Sequence, residues 1–185
     1  LIWSIIPFYN IYNFATCPIE YLVDENEGMS ISSLFNTPLF WIAIILMVCS
    51  GASELSMAQW ASAYAESALG LSKTIGDLAG PSMFAITMGI SRVIYGKYGD
   101  KMDLMKFMLG SGSLCLVCYL MASISANPIV GLIGCIVCGF SVGIMWPGTI
   151  SISSKQLPTG GTAMFALLAM AGDLGGAVGP SLVGN

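Results

Sequence analysis

Histidine is absent from this chain. With it goes the commonest general acid–base group and a common metal ligand. An enzyme built into a membrane would need histidine clusters or paired carboxylates at one face, and the acids inside the apolar runs are far apart, so no catalytic residue and no cofactor is expected. Charge is scarce as well: 9% of residues are charged and 56% are hydrophobic, against roughly 25% charged in soluble domains. Such a chain cannot clothe a water-facing surface. Only six Lys and Arg are present and they form no basic patch, which excludes a nucleic-acid partner. No charged leader with a small-residue cleavage site is visible. A nucleotide-binding P-loop is missing too, because Gly96-Lys97 is followed by Tyr98 and position 91 is Ser, which excludes an ATP-driven pump.

What is there is apolar run after apolar run. The fold class is all-α integral membrane, with about five spans of roughly 20 residues each. They are placed at residues 38–60 (with the helix free to continue to 66), 78–98, 107–125, 129–153 and 162–183. Pro147-Gly148 is the expected kink of the fourth. Residues 1–36 read as the end of a preceding helix and a cytoplasmic linker carrying Glu20, Asp24, Glu25 and Glu27. Ser30 is placed as the cap of a short helix through Leu34 and Phe35. Residues 37–185 form the transmembrane bundle. Position 1 is Leu rather than Met, and the chain reads as a fragment with its last helix missing, not competent alone.

Four of the six cations, Arg92, Lys97, Lys101 and Lys106, fall in or beside one loop. Lys155 falls on the same side and Lys73 on the other. Cations near span ends mark the cytoplasmic side, so the first span starts inside and the chain ends outside.

Cys115-x-x-Cys118 and Cys135-x-x-Cys138 match a zinc pattern by spacing. Both pairs lie inside apolar spans, where a thiolate site has neither a turn nor deprotonated ligands. They read as small packing residues, and no metal is expected.

Glu54, Arg92 and Asp173 lie within spans. A charge at mid-bilayer costs about 2.5–3.5 kcal/mol on insertion scales and must face protein or a wet cavity. Asp173 is about eleven residues into its span, near the middle at 1.5 Å per residue. Glu54 is placed in the outer half, with Gln59 and Trp60 about a turn beyond. These four and Trp146, beside Pro147, are the candidate substrate and ion pathway. Arg92 is placed a turn above the cytoplasmic end, within snorkelling reach of it; a bridge to Asp173 does not follow from the sequence. Trp41 and Trp60 bracket one span, as interface aromatics do. Gly139-x-x-x-Gly143 and Gly172-x-x-x-Gly176 are spaced for close helix packing.

Gly96-x-x-x-Asp100-Lys101, with Lys106 further on, resembles the loop signature of the major facilitator superfamily. Gly172-Asp173-Leu174-Gly175-Gly176-Ala177-Val178-Gly179-Pro180 is similar to that family's glycine-rich eleventh helix, where Asn often stands in place of Asp173. Asp103 departs from the signature, replacing its usual basic residue. The resemblance implies a twelve-helix fold of two halves rocking around a midplane site. This chain would supply helices seven to eleven, closest to the fucose-permease-like sugar branch. It also implies that Arg92, Gly96, Asp100 and Lys101 form a cytoplasmic gating loop, with Gly96 permitting close helix contact and Arg92 a partner for Asp100. The function expected is secondary active transport of a sugar or other small organic molecule in the plasma membrane. Its partners would be membrane lipid, the solute and protons or sodium, and the alternative is a channel or a non-transporting receptor.

Overall fold

A computed structural model of the chain describes residues 2–17 and 28–184. The four acids of the expected linker lie outside the described residues, and so does the side chain of Asp100. The described elements are helical, and no strand occurs among them.

Helix α1 (Ile2–Thr16) presents exposed side chains wherever they are described. Helix α2 (Ile31–Phe35) is capped by Ser30, whose Oγ accepts from the Ser33 amide at 3.2 Å. The cap forms where the sequence places it, because a serine hydroxyl satisfies an amide that has no partner in the first turn. Trp41 Nε1 donates to the Phe35 carbonyl at 2.8 Å, which ties α2 to the next helix.

That helix, α3 (Pro38–Leu69), is 32 residues long, about 48 Å at 1.5 Å per residue. Pro38 takes its first turn, where a missing N–H costs nothing. It stops at Gly70, which adopts a left-handed φ of 63°, a conformation that glycine tolerates at a helix end. Nothing between the two breaks the helix. It therefore runs on past Trp60, and Glu54 falls close to the midpoint of the helix.

The polar loop expected before the second span is mostly helix. Helix α4 (Lys73–Asp77) leads directly into a π turn at Leu78–Ser82 and then into α5 (Met83–Tyr98). The span expected at 78–98 is thus wound unevenly at its start. Pro81 has no N–H to give the preceding turn, and Ser82 Oγ donates instead to the Asp77 carbonyl at 3.0 Å. Gly80 lies against the backbone of Ala61, where a Cβ would come within 2.8 Å.

After a short 3-10 turn at Gly99–Lys101 come α6 (Leu104–Ile124), α7 (Pro128–Val142), α8 (Met145–Gln156) and α9 (Gly161–Val183). Asp103 caps α6, its Oδ1 accepting from the amides of Met105 at 3.1 Å and Lys106 at 3.2 Å. The residue that departs from the loop signature is therefore this helix's start signal. Asn127 caps α7 in the same way, accepting from Ile129 at 3.0 Å. The expected fourth span breaks between α7 and α8, at Gly143 and Ile144, ahead of the Pro147-Gly148 step. Pro147 instead sits in the first turn of α8.

Among the described residues, four helical stretches are long and apolar enough to cross a membrane: Pro38–Leu69, Leu104–Ile124, Pro128–Gln156 and Gly161–Val183. The 16-residue α5 is too short to count among them.

Two seams hold the bundle. Along one, α3 lies on α9, with Phe40, Met47, Met164 and Leu168 buried between them. The backbones touch where Gly51 meets the Gly172 carbonyl and Gly175 meets the Val48 carbonyl. A Cβ at either glycine would overlap the opposing backbone, so the approach is one that only glycine allows. Along the other, α7 packs on α5 and α6. Gly139 faces Phe84, Gly143 faces Met88 and Ser91, and the four cysteines of α6 and α7 are buried with Met57 and Val142. Cys115 Sγ lies 4.0 Å from Cys138 Sγ.

Candidate functional site

A cavity of about 580 Å³ opens between α3, α5, α8 and α9. Gly51, Glu54 and Leu55 line it from α3, Arg92 and Tyr95 from α5, Trp146, Pro147 and Ile150 from α8, and Gly172 and Asp173 from α9. Its size falls in the range of small-molecule sites, roughly 300–1,000 Å³.

The packing glycines create the cavity's walls. Because Gly172 has no side chain, the indole of Trp146 packs directly against it, and a Cβ there would reach within 2.7 Å of Trp146 Cε2. Asp173, one residue on, projects at the rim of the same space. Tyr95 is held by its hydroxyl against Ser151 Oγ at 3.2 Å, which fixes the ring on the α5–α8 side.

The two charged side chains opposite Asp173 form a pair. Arg92 Nη2 lies 3.6 Å from Glu54 Oε1. Glu54 is the more enclosed, 20% exposed against 47% for Arg92. Arg92 Nε also donates to the Gly143 carbonyl at 3.2 Å. That carbonyl is free for a reason written in the sequence. In an unbroken helix the acceptor of the residue-147 amide is the carbonyl of residue 143, and Pro147 has no amide hydrogen. The arginine takes the acceptor that the proline leaves.

The structure thus brings Glu54, Arg92, Trp146 and Asp173 together, and leaves Gln59 and Trp60 outside. Trp60 Nε1 donates to the Pro180 carbonyl at 2.9 Å, and its ring covers Gly184. It pins the end of α9 to α3 and does not line this cavity. Gln59 is exposed on the far side of the turn. Arg92 reaches Glu54 and makes no ion pair with Asp173. No ion pair involves Asp173 among the described residues. A Cβ at Gly96 would meet nothing within 4 Å, so the close helix contact expected there is not made by the described residues. Lys101 is exposed.

Sequence reasoning missed Tyr95 and Gly51. A tyrosine one turn after an arginine carries no distinctive pattern. Gly51 lacks a glycine partner at four-residue spacing, the signal by which the other packing glycines are found.

No curated protein and no solved structure matches the chain. The family model described as the Major Facilitator Superfamily matches residues 18–180. With that match over nearly the whole chain, an all-helical bundle and four membrane-length stretches, the chain belongs to the major facilitator superfamily, whose members are multi-pass membrane transporters of small solutes.

Proposed function

We propose that the chain is part of a secondary active transporter working by alternating access, and that the cavity around Glu54, Arg92, Trp146 and Asp173 belongs to its solute path. The observation that carries this reading is the convergence of ionisable side chains from three helices on one cavity. Charge at this depth is costly and persists where it faces protein or a wet passage. Asp173 is exposed on this bundle. In a two-halved transporter the exposed face turns toward the central gap, where a second half completes the site.

In this reading residues 37–185 are the second bundle, helices seven to eleven, and residues 1–36 lead into it. Gly96, Asp100 and Lys101 form the cytoplasmic gating loop, while Gly139, Gly143, Gly172 and Gly176 let the helices shift without opening gaps. The solute is a small organic molecule, the membrane is the plasma membrane, and a proton or sodium gradient drives transport. Glu54 and Asp173 are the groups able to take a coupling proton.

Uptake by the full-length protein, measured across pH, tests the coupling. Glu54→Gln and Asp173→Asn are expected to flatten the pH profile. Profiles like that of the unaltered protein in both variants would remove these residues from proton coupling.

A further inference from the structure

The cavity's charges do not cancel. Glu54 and Arg92 neutralise one another at 3.6 Å, and Arg92's Nε is occupied by the Gly143 carbonyl. Asp173 is left as the one uncompensated charge among the lining residues. The same cavity is lined by the indole of Trp146, the ring of Tyr95, and the apolar residues Leu55, Pro147 and Ile150. Resting on the reading of this cavity as a solute path, we propose that the solute is an organic cation: one positively charged nitrogen, amine or quaternary ammonium, on an apolar body.

Three kinds of solute can be weighed against these walls. An anion would meet the carboxylate of Asp173, and the one guanidinium in the lining already has Glu54 as its counter-charge. A sugar carries no charge and leaves the carboxylate of Asp173 without a counter-charge. A cation supplies that counter-charge, and aromatic faces attract it further. A cation over a Trp or Tyr ring gains electrostatic energy that grows as water is excluded. Trp146 is fixed for this role, since its indole is seated on the bare backbone of Gly172. The sugar preference implied by the sequence resemblance is therefore set aside in favour of a nitrogen cation.

Equilibrium binding of three probes to the full-length, detergent-solubilised protein separates these classes. Benzyltrimethylammonium, 3-phenylpropionate and phenyl glucoside share an aromatic body and differ in the head group. The cation is expected to bind at least about ten-fold more tightly than the others, one charge–charge contact at partial exposure being enough for that. Asp173→Asn should abolish the preference and Asp173→Glu should keep most of it. Trp146→Leu should weaken the cation several-fold and leave the glucoside unchanged. Equal or tighter binding of the glucoside or the carboxylate overturns the cation class, as does an Asp173→Asn protein that still prefers the ammonium. Accumulation in proteoliposomes is scored separately. Uptake of the glucoside alone would overturn the cation class and keep the transporter reading. Selective binding of the ammonium with no accumulation of any probe would do the reverse.

Discussion

Arg92 donates its Nε to the Gly143 carbonyl at 3.2 Å, and that acceptor is free because Pro147 carries no amide hydrogen. One substitution far along the chain thereby sets the direction of a side chain on another helix. The guanidinium is anchored at one end by α7 and meets Glu54 of α3 at the other. Helices α3 and α5 and the break after α7 are linked through a single arginine.

Restoring the missing amide should undo this arrangement. In Pro147→Ala the residue-147 N–H competes for the Gly143 carbonyl, and α7 and α8 should straighten into one rod. Spin labels at exposed positions 133 and 154 report the change by electron–electron distance measurement. A longer, narrower distance distribution is expected, and an unchanged one would mean that the proline does not maintain the break.

The Glu54–Arg92 pair is half exposed on the arginine side, so its net worth is discounted toward that of surface pairs, about 0.5–1 kcal/mol of coupling. A double-mutant cycle with Glu54→Gln and Arg92→Gln, read by thermal unfolding in detergent, measures it. Each single variant should lose stability and the double should lose less than the sum. Strict additivity would show that the two side chains do not interact.

Gly51 and Gly96 give opposite expectations from the same residue type. Gly51→Val drives a side chain into the Gly172 backbone and should cost at least about 1–3 kcal/mol, the range for overpacked cores. Gly96→Ala enters open space on a helix and should stabilise by about 0.5–1 kcal/mol. Unfolding temperatures of the two variants decide the matter. Tolerance of Gly51→Val would mean that α3 and α9 do not approach as closely as described.

The orientation drawn from the cations is tested by accessibility. In a cysteine-free background, Lys73→Cys is expected to react with an impermeant maleimide added to intact cells, and Lys101→Cys only after the cells are opened. Equal labelling of both sites from outside would place the two loops on one face and overturn the proposed topology.

Much of this was legible before any tertiary structure. Residues 38–69 are apolar and unbroken between a proline and a glycine, so a long helix follows from local chemistry alone. Ser30 capped its helix as expected because a cap is decided within four residues. The acids and the arginine inside the spans stood out because lipid makes charge expensive wherever it sits. Some local signals were misjudged nonetheless. Asp103 departs from the loop signature, and its second role as the cap of α6 was not foreseen. The break in the fourth span was assigned to Pro147, yet it falls four residues earlier, at the carbonyl the proline abandons.

What sequence alone determined is which segments are helical, which are apolar and which few residues bear charge, because these depend on neighbours along the chain. Only the tertiary structure decided that Arg92 meets Glu54, that Asp173 has no ion-pair partner among the described residues, and that Trp146 joins the cavity while Trp60 does not. Those outcomes depend on how far each helix is rotated about its axis and how closely two backbones approach. Gly51 and Gly172 set that approach, and their effect exists only once α3 and α9 lie side by side.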